Sequence, residues 1–91
     1  MTVRVDEVRI WPTTIACFRG GSAHLTADTL EELHAFAARL GLRRSWFQAH
    51  PIAPHYDLTP GRQAVALKLG ARIVSAREQA IARIAARSAK P

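Results

Sequence analysis

The chain of 91 residues is poor in several things, and each shortage excludes something. Cys17 is its sole cysteine. An intramolecular disulfide and a cysteine-built zinc site are therefore excluded, and a lone thiol suits a reducing compartment. No stretch approaches the ~20 apolar residues that a membrane-spanning helix requires. Arg4, Asp6, Glu7 and Arg9 break up any apolar run near the start that would read as a secretory leader. The expectation is a soluble, cytoplasmic protein without a membrane partner. Acidic charge is scarce in the C-terminal third. Residues 58–91 carry seven basic side chains against Glu78 alone, whereas residues 1–57 balance six basic with six acidic ones, so the whole net charge of +6 falls after residue 57. Such asymmetry suits a phosphate-bearing partner or a solvated face.

Apolar residues make up 48% and charged residues 22%, a globular composition. A chain this short forms one domain and hides roughly 60–65% of its unfolded surface, enough for a single core. Val3-Arg4-Val5-Asp6 alternates with period 2, as a half-buried strand does. Residues 11–21, with Pro12 and Gly20-Gly21, read as a loop, and residues 22–26 as a second short strand centred on His24 and Leu25. Thr29 with Glu32 forms a capping box for a helix spanning 29–40, and Asp28 with Glu31 would serve one register earlier; Leu30, Leu33, Phe36, Ala37 and Leu40 lie on one stripe, with Gly41 as the C-terminal cap. Trp46-Phe47-Gln48 is predicted as a short strand, followed by an extended loop between Pro51 and Pro54. Thr59 and Pro60 open a second helix that stops before Gly70. Ile73-Val74 reads as a brief strand. Ser75 with Glu78 opens a third helix over 76–88, with Ile81 and Ile84 facing inward. The fold class expected is α/β or α+β: a single small domain over residues 1–91, with a small mixed sheet, three helices and a basic C-terminal helix and tail.

The ordered strings Thr2-Val3-Arg4-Val5-Asp6-Glu7, His24-Leu25, Ala27-Asp28 and Glu32-Leu33-His34-Ala35, then Trp46-Phe47-Gln48, His55-Tyr56-Asp57-Leu58 and Gly70-Ala71 have a counterpart. Together they resemble a small bacterial and phage family catalogued as a domain of unknown function. The resemblance spans roughly residues 2–75 and leaves the third helix outside its motifs. His24, His34, Trp46, Gln48, His55, Tyr56, Asp57 and Arg62 match the family's hallmark positions. The resemblance implies neither substrate nor reaction.

The densest polar cluster is His55-Tyr56-Asp57, between a proline-bounded loop and a helix N-terminus where anions are favoured. Arg62, on the first turn of that helix, is expected to project toward the same spot and hold phosphate. His24 is the candidate acid–base partner of His55, and Asp57 the group that orients a histidine. Such proton transfers are worth about 10²–10⁴-fold each. If Trp46 and Gln48 lie in one strand they share a face, where an indole and an amide suit base stacking and hydrogen bonding; with Tyr56 they shape a pocket. His34, at the edge of the first helix's stripe, and Asp6, at a strand end, are added as further candidates. The set His24, His34, His55, Asp6, Asp28 and Asp57 contains metal-ligand types, but no recognised ligand spacing. No metal ligand set and no cofactor are assigned. Arg83, Arg87 and Lys90 form a stripe that suits a phosphate backbone or water, and Ala80, Ile81, Ile84 and Ala85 suit a homo-oligomeric helix contact.

These features point first to a small hydrolase or transferase that uses a His/Tyr/Asp/Arg polar site on a nucleotide, nucleic acid or other phosphorylated substrate. The alternative is a non-catalytic module that binds nucleic acid or a protein. A His24–His55 separation beyond ~10 Å would remove the proton-transfer pairing, because both groups must reach one reacting centre.

Overall fold

The computed structural model describes residues 3–10, 18, 20–51, 54–75 and 77–81. Trp11, Cys17, Arg19, the end of the third helix and the Arg83, Arg87 and Lys90 stripe lie outside them. In chain order the elements are β1 (Val3–Val5), β2 (Ala23–Ala27), α1 (Leu30–Arg39), a 3₁₀ turn (Arg44–Trp46), β3 (Tyr56–Leu58), α2 (Pro60–Lys68), β4 (Arg72–Ile73) and α3, described over residues 77–81. Among the described residues no helix is long and apolar enough to cross a membrane.

Local capping chemistry sets the helix starts. Thr29 Oγ1 accepts the Glu32 N–H, Thr59 Oγ1 accepts the Arg62 N–H with Pro60 at the first helical position, and Ser75 Oγ accepts the Glu78 N–H. Gly41, at φ +75°, ends α1 as expected. The buried stripe of α1 is Leu33, Phe36, Ala37 and Leu40; Leu30, expected on it, lies half exposed in the first turn.

The four strands form one mixed sheet in the order β3-β2-β1-β4, with β1 and β4 parallel and the other pairs antiparallel. With its mixed sheet and three helices, the molecule is a single α+β domain. Val3 and Val5 pair with Ala27 and Leu25, and Leu25 and Ala23 pair with Tyr56 and Leu58. These side chains share one face of the pleat and make the core with Leu33, Phe36 and Ala37 of α1 and Ala66 of α2. The opposite face carries Arg4, Asp6, His24, Thr26 and Asp57. Because β1 is an inner strand, Arg4 is also buried, and its guanidinium meets the Asp28 carboxylate at 2.9 Å.

Three elements depart from the sequence expectation. Residues 56–58, where no strand was expected, form β3, which pairs with β2. Residues 46–48 are not a strand: Trp46 and Phe47 donate back to the Arg43 and Arg44 carbonyls, which closes a 3₁₀ turn, and only Gln48 pairs across the chain, with His55. Ile81 does not face inward, being 56% exposed, because α3 turns Gln79 onto the sheet instead. Gln79, only 2% exposed, accepts from the Thr26 hydroxyl at 2.6 Å and donates to the His24 carbonyl at 3.1 Å.

The β1–β2 pairing shifts by one residue between Val5↔Leu25 and Arg9↔Ser22, so the first strand accommodates an extra residue next to the turn at Gly21. Gly21 has φ +108°, and a Cβ there would lie 2.6 Å from Val8 Cγ1 and 2.9 Å from the Arg9 carbonyl oxygen. Val8 can swing aside, but the carbonyl belongs to the ladder. Gly21→Ala should therefore cost about 2–4 kcal/mol from positive φ and overpacking together. A urea-unfolding midpoint equal to wild type would refute this.

Candidate functional site

The site grows from strand register. His24 stands directly opposite Asp57 across the β2–β3 pair, and Asp6, one residue beyond β1, donates its N–H to the His24 carbonyl. Three strands thus place Asp6, His24 and Asp57 in one row on the polar face. His55, two residues before Asp57, falls on the same face by the period of the strand, while Tyr56 between them points into the core.

Asp6 is almost wholly buried and fixes His24 twice. One carboxylate oxygen accepts the His24 backbone N–H at 2.6 Å, and the other lies 2.8 Å from Nδ1. An ionised carboxylate only accepts, so Nδ1 carries a proton, and in the neutral ring Nε2 is the lone-pair nitrogen. Nε2 lies 3.9 Å from Asp57 Oδ1, and His55 Nε2 lies 3.4 Å from the same oxygen. The two imidazole centroids are 5.0 Å apart, edge to face, well inside the ~10 Å limit for groups that share a reacting centre. The hydrogen bond from His55 holds the Asp57 carboxyl below the usual carboxylate range; burial opposes it, and the charges of His55 and His24 reinforce it. Among the described residues His24, His55 and Asp57 each bring a ligand-type atom within 4.8 Å of the other two.

A second polar pair lies on the core side. His34 Nδ1 is 2.9 Å from the Tyr56 hydroxyl; the His34 ring packs edge to face against both Tyr56 and Phe47, and Phe47 lies tilted against Tyr56. Desolvation, then the neighbouring Arg44 charge, pushes the His34 pKa down, so the ring favours its neutral form. Burial pushes the Tyr56 phenol up, with Arg44 opposing.

The remaining predicted residues are held by other contacts. Arg62, expected to project toward the same spot as His55, donates from Nη1 to the Leu40 carbonyl at the end of α1. Trp46 and Gln48 do not share a strand face. Trp46, 46% exposed, lies beneath the guanidinium groups of Arg43 at 5.7 Å and Arg62 at 5.9 Å, and Arg44 covers Phe47 at 5.1 Å. Gln48 exchanges both backbone hydrogen bonds with His55, so the arginine–tryptophan surface and the histidine cluster belong to paired segments. Two residues that the sequence did not single out brace the cluster: Gln79 holds the His24 carbonyl, and Gln63 Nε2 donates to the Asp6 carbonyl at 3.2 Å. No local pattern marks either glutamine, because each partner is remote in sequence.

Neither a curated protein nor a solved structure matches the chain. A family does match, and it extends past residue 75, so it takes in α3, which the recognisable motifs had left outside; the bonds of Gln79 to β2 are the physical reason this helix belongs with the sheet. The family described as "Protein of unknown function (DUF4031)" matches residues 3–87, and the chain belongs to it.

Proposed function

We propose that the protein is a small hydrolase or transferase acting on a phosphorylated substrate, a nucleotide or nucleic acid, with His24, His55 and Asp57 as its reacting centre. One observation carries this reading: the buried Asp6 carboxylate lies 2.8 Å from Nδ1 of His24, which keeps a proton there and leaves Nε2, the lone-pair nitrogen of the neutral ring, on the side of the cluster where Asp57 and His55 stand. A lone pair oriented in this way withdraws a proton from an attacking water or hydroxyl, and the carboxylate between the two imidazoles steadies the charge that develops. The arginines around Trp46 support a phosphorylated substrate. Arg62 spends one donor on Leu40 and retains others in its fork, and the half-exposed indole offers a stacking face. His34 and Tyr56 support the core side of β3 rather than the reacting centre.

Turnover of a panel of nucleotides, RNAs and DNAs tests the reading. Wild type should turn over at least one class, and His55→Ala should lower kcat by about 10²–10⁴-fold while circular dichroism stays unchanged. If wild type turns nothing over, and salt-sensitive RNA or DNA binding persists in His55→Ala, the chain is instead a binding module built on the arginine–tryptophan surface.

A further inference from the structure

The His55–Asp57 hydrogen bond is a long one, and the cluster's spacings also suit a shared ion. An N–H···O bond settles at about 2.7–3.2 Å, yet Asp57 Oδ1 lies 3.4 Å from His55 Nε2 and 3.9 Å from His24 Nε2. Two ligand atoms that share a first-row dication at bonds of ~2.0–2.1 Å and tetrahedral angles stand roughly 3.4 Å apart. The His55–Asp57 edge already has that length. The other edges are longer, 3.9 Å from His24 Nε2 to Asp57 Oδ1 and within 4.8 Å between the two histidines, and would close toward it on binding.

We infer that His24 Nε2, His55 Nε2 and Asp57 Oδ1 form a binding site for a divalent transition-metal ion of the zinc class. Three further observations agree. Asp6, buried and 2.8 Å from Nδ1, stands in the carboxylate–histidine–metal relation that fixes a ligand's tautomer and sharpens its basicity. Two imidazoles and one carboxylate match zinc and its first-row neighbours, whereas magnesium and calcium prefer all-oxygen shells. The three donors come from two paired strands and the residue flanking one of them, so the backbone ladder prearranges them. Three protein ligands leave a position for water, the pattern of catalytic rather than structural sites. The inference rests on the reading of this cluster as the reacting centre and names its cofactor: a bound dication would lower the pKa of that water toward ~7 and make it a nucleophile at neutral pH.

Calorimetric titration of the chelator-stripped protein with Zn²⁺, and separately with Mg²⁺, tests the site. Wild type should bind one Zn²⁺ per chain and no Mg²⁺. His55→Ala and Asp57→Asn should each lose on the order of 100-fold in affinity or more, beyond the 10–100-fold typical of outer-shell partners. His50→Ala, an exposed histidine outside the cluster, should bind as wild type does. The visible bands of bound Co²⁺ give a second readout and should be those of a four-coordinate nitrogen–oxygen site. The absence of saturable 1:1 binding, or wild-type affinity in both His55→Ala and Asp57→Asn, overturns the inference. Substrate turnover separates it from the enzyme reading. Zinc bound without turnover of the panel leaves the metal site standing and removes the enzyme. Turnover that survives chelation in a protein that binds no zinc does the reverse.

Discussion

Asp6→Asn should leave the fold intact and silence the site. The carboxylate accepts two hydrogen bonds, from the His24 amide and from the His24 ring. An amide has a single acceptor oxygen. When that oxygen keeps the backbone N–H, its NH₂ faces Nδ1 and donates to it, which drives the ring proton to Nε2 and removes the lone pair from the cluster. The alternative flip sets two donors against each other and loses the backbone bond. Either outcome costs about one hydrogen bond, roughly 0.5–1.5 kcal/mol, which the domain tolerates. The functional loss is far larger. A wrong tautomer in a Ser-His-Asp triad costs about 10⁴-fold in kcat, and an outer-shell change at a metal site costs about 10–100-fold in affinity. Nitrogen-15 spectra of the imidazole should show the proton on Nδ1 in wild type and on Nε2 in Asp6→Asn, with turnover and zinc affinity falling together. Asp6→Ala is the harsher comparison: it strips both acceptors and should add about 1–3 kcal/mol of instability by leaving the His24 N–H unpaired. A wild-type tautomer with undiminished function in Asp6→Asn would remove the orienting role of Asp6 and the lone-pair argument built on it.

The part of this site that was legible in the sequence is the part written locally. Thr29, Thr59 and Ser75 sit three residues before the amides they accept from, so each helix start follows from adjacent residues. The cluster His55-Tyr56-Asp57 was legible as a string, but its division was not: only once residues 56–58 pair as β3 does period 2 put His55 and Asp57 on one side and Tyr56 on the other. The row Asp6–His24–Asp57 is a different kind of fact. It exists because three strands pair in one register, and nothing in residues 6 or 24 alone announces a partner 18 positions away. Gln79 lies 53 residues from the threonine it bonds, which is why an inward Ile81 looked natural and proved wrong. A short strand was expected at residues 46–48, but among the described residues no strand pairs with Trp46. Its backbone closes a local turn, and its ring takes up the arginines. Arg62 shows the same limit. Its place on α2 was legible, but the Leu40 carbonyl that captures it becomes visible only once α1 and α2 are packed.

Tyr56 carries the largest stability prediction and separates the core from the chemistry. It is 1% exposed and packs with Phe47 and His34, and its backbone, on the edge strand β3, pairs with Leu25 of the inner strand β2. Removing a buried aromatic side chain costs about 3–5 kcal/mol. Domains have only about 5–15 kcal/mol in total, and one this small belongs at the lower end. Tyr56→Ala should therefore be largely unfolded near 37 °C. Tyr56→Phe keeps the ring and deletes only the hydroxyl that meets His34, so its urea midpoint should correspond to a loss of about 0.5–1.5 kcal/mol. Because His55 and Asp57 lie on the opposite face of the strand, Tyr56→Phe should retain wild-type zinc binding and turnover. A folded Tyr56→Phe that lost turnover would return the phenol to the pocket-shaping role expected of it from sequence and would break the division of β3 into a structural face and a reacting face. A fully stable Tyr56→Ala would break it from the other side, since the core could then spare the residue that separates the two members of the cluster.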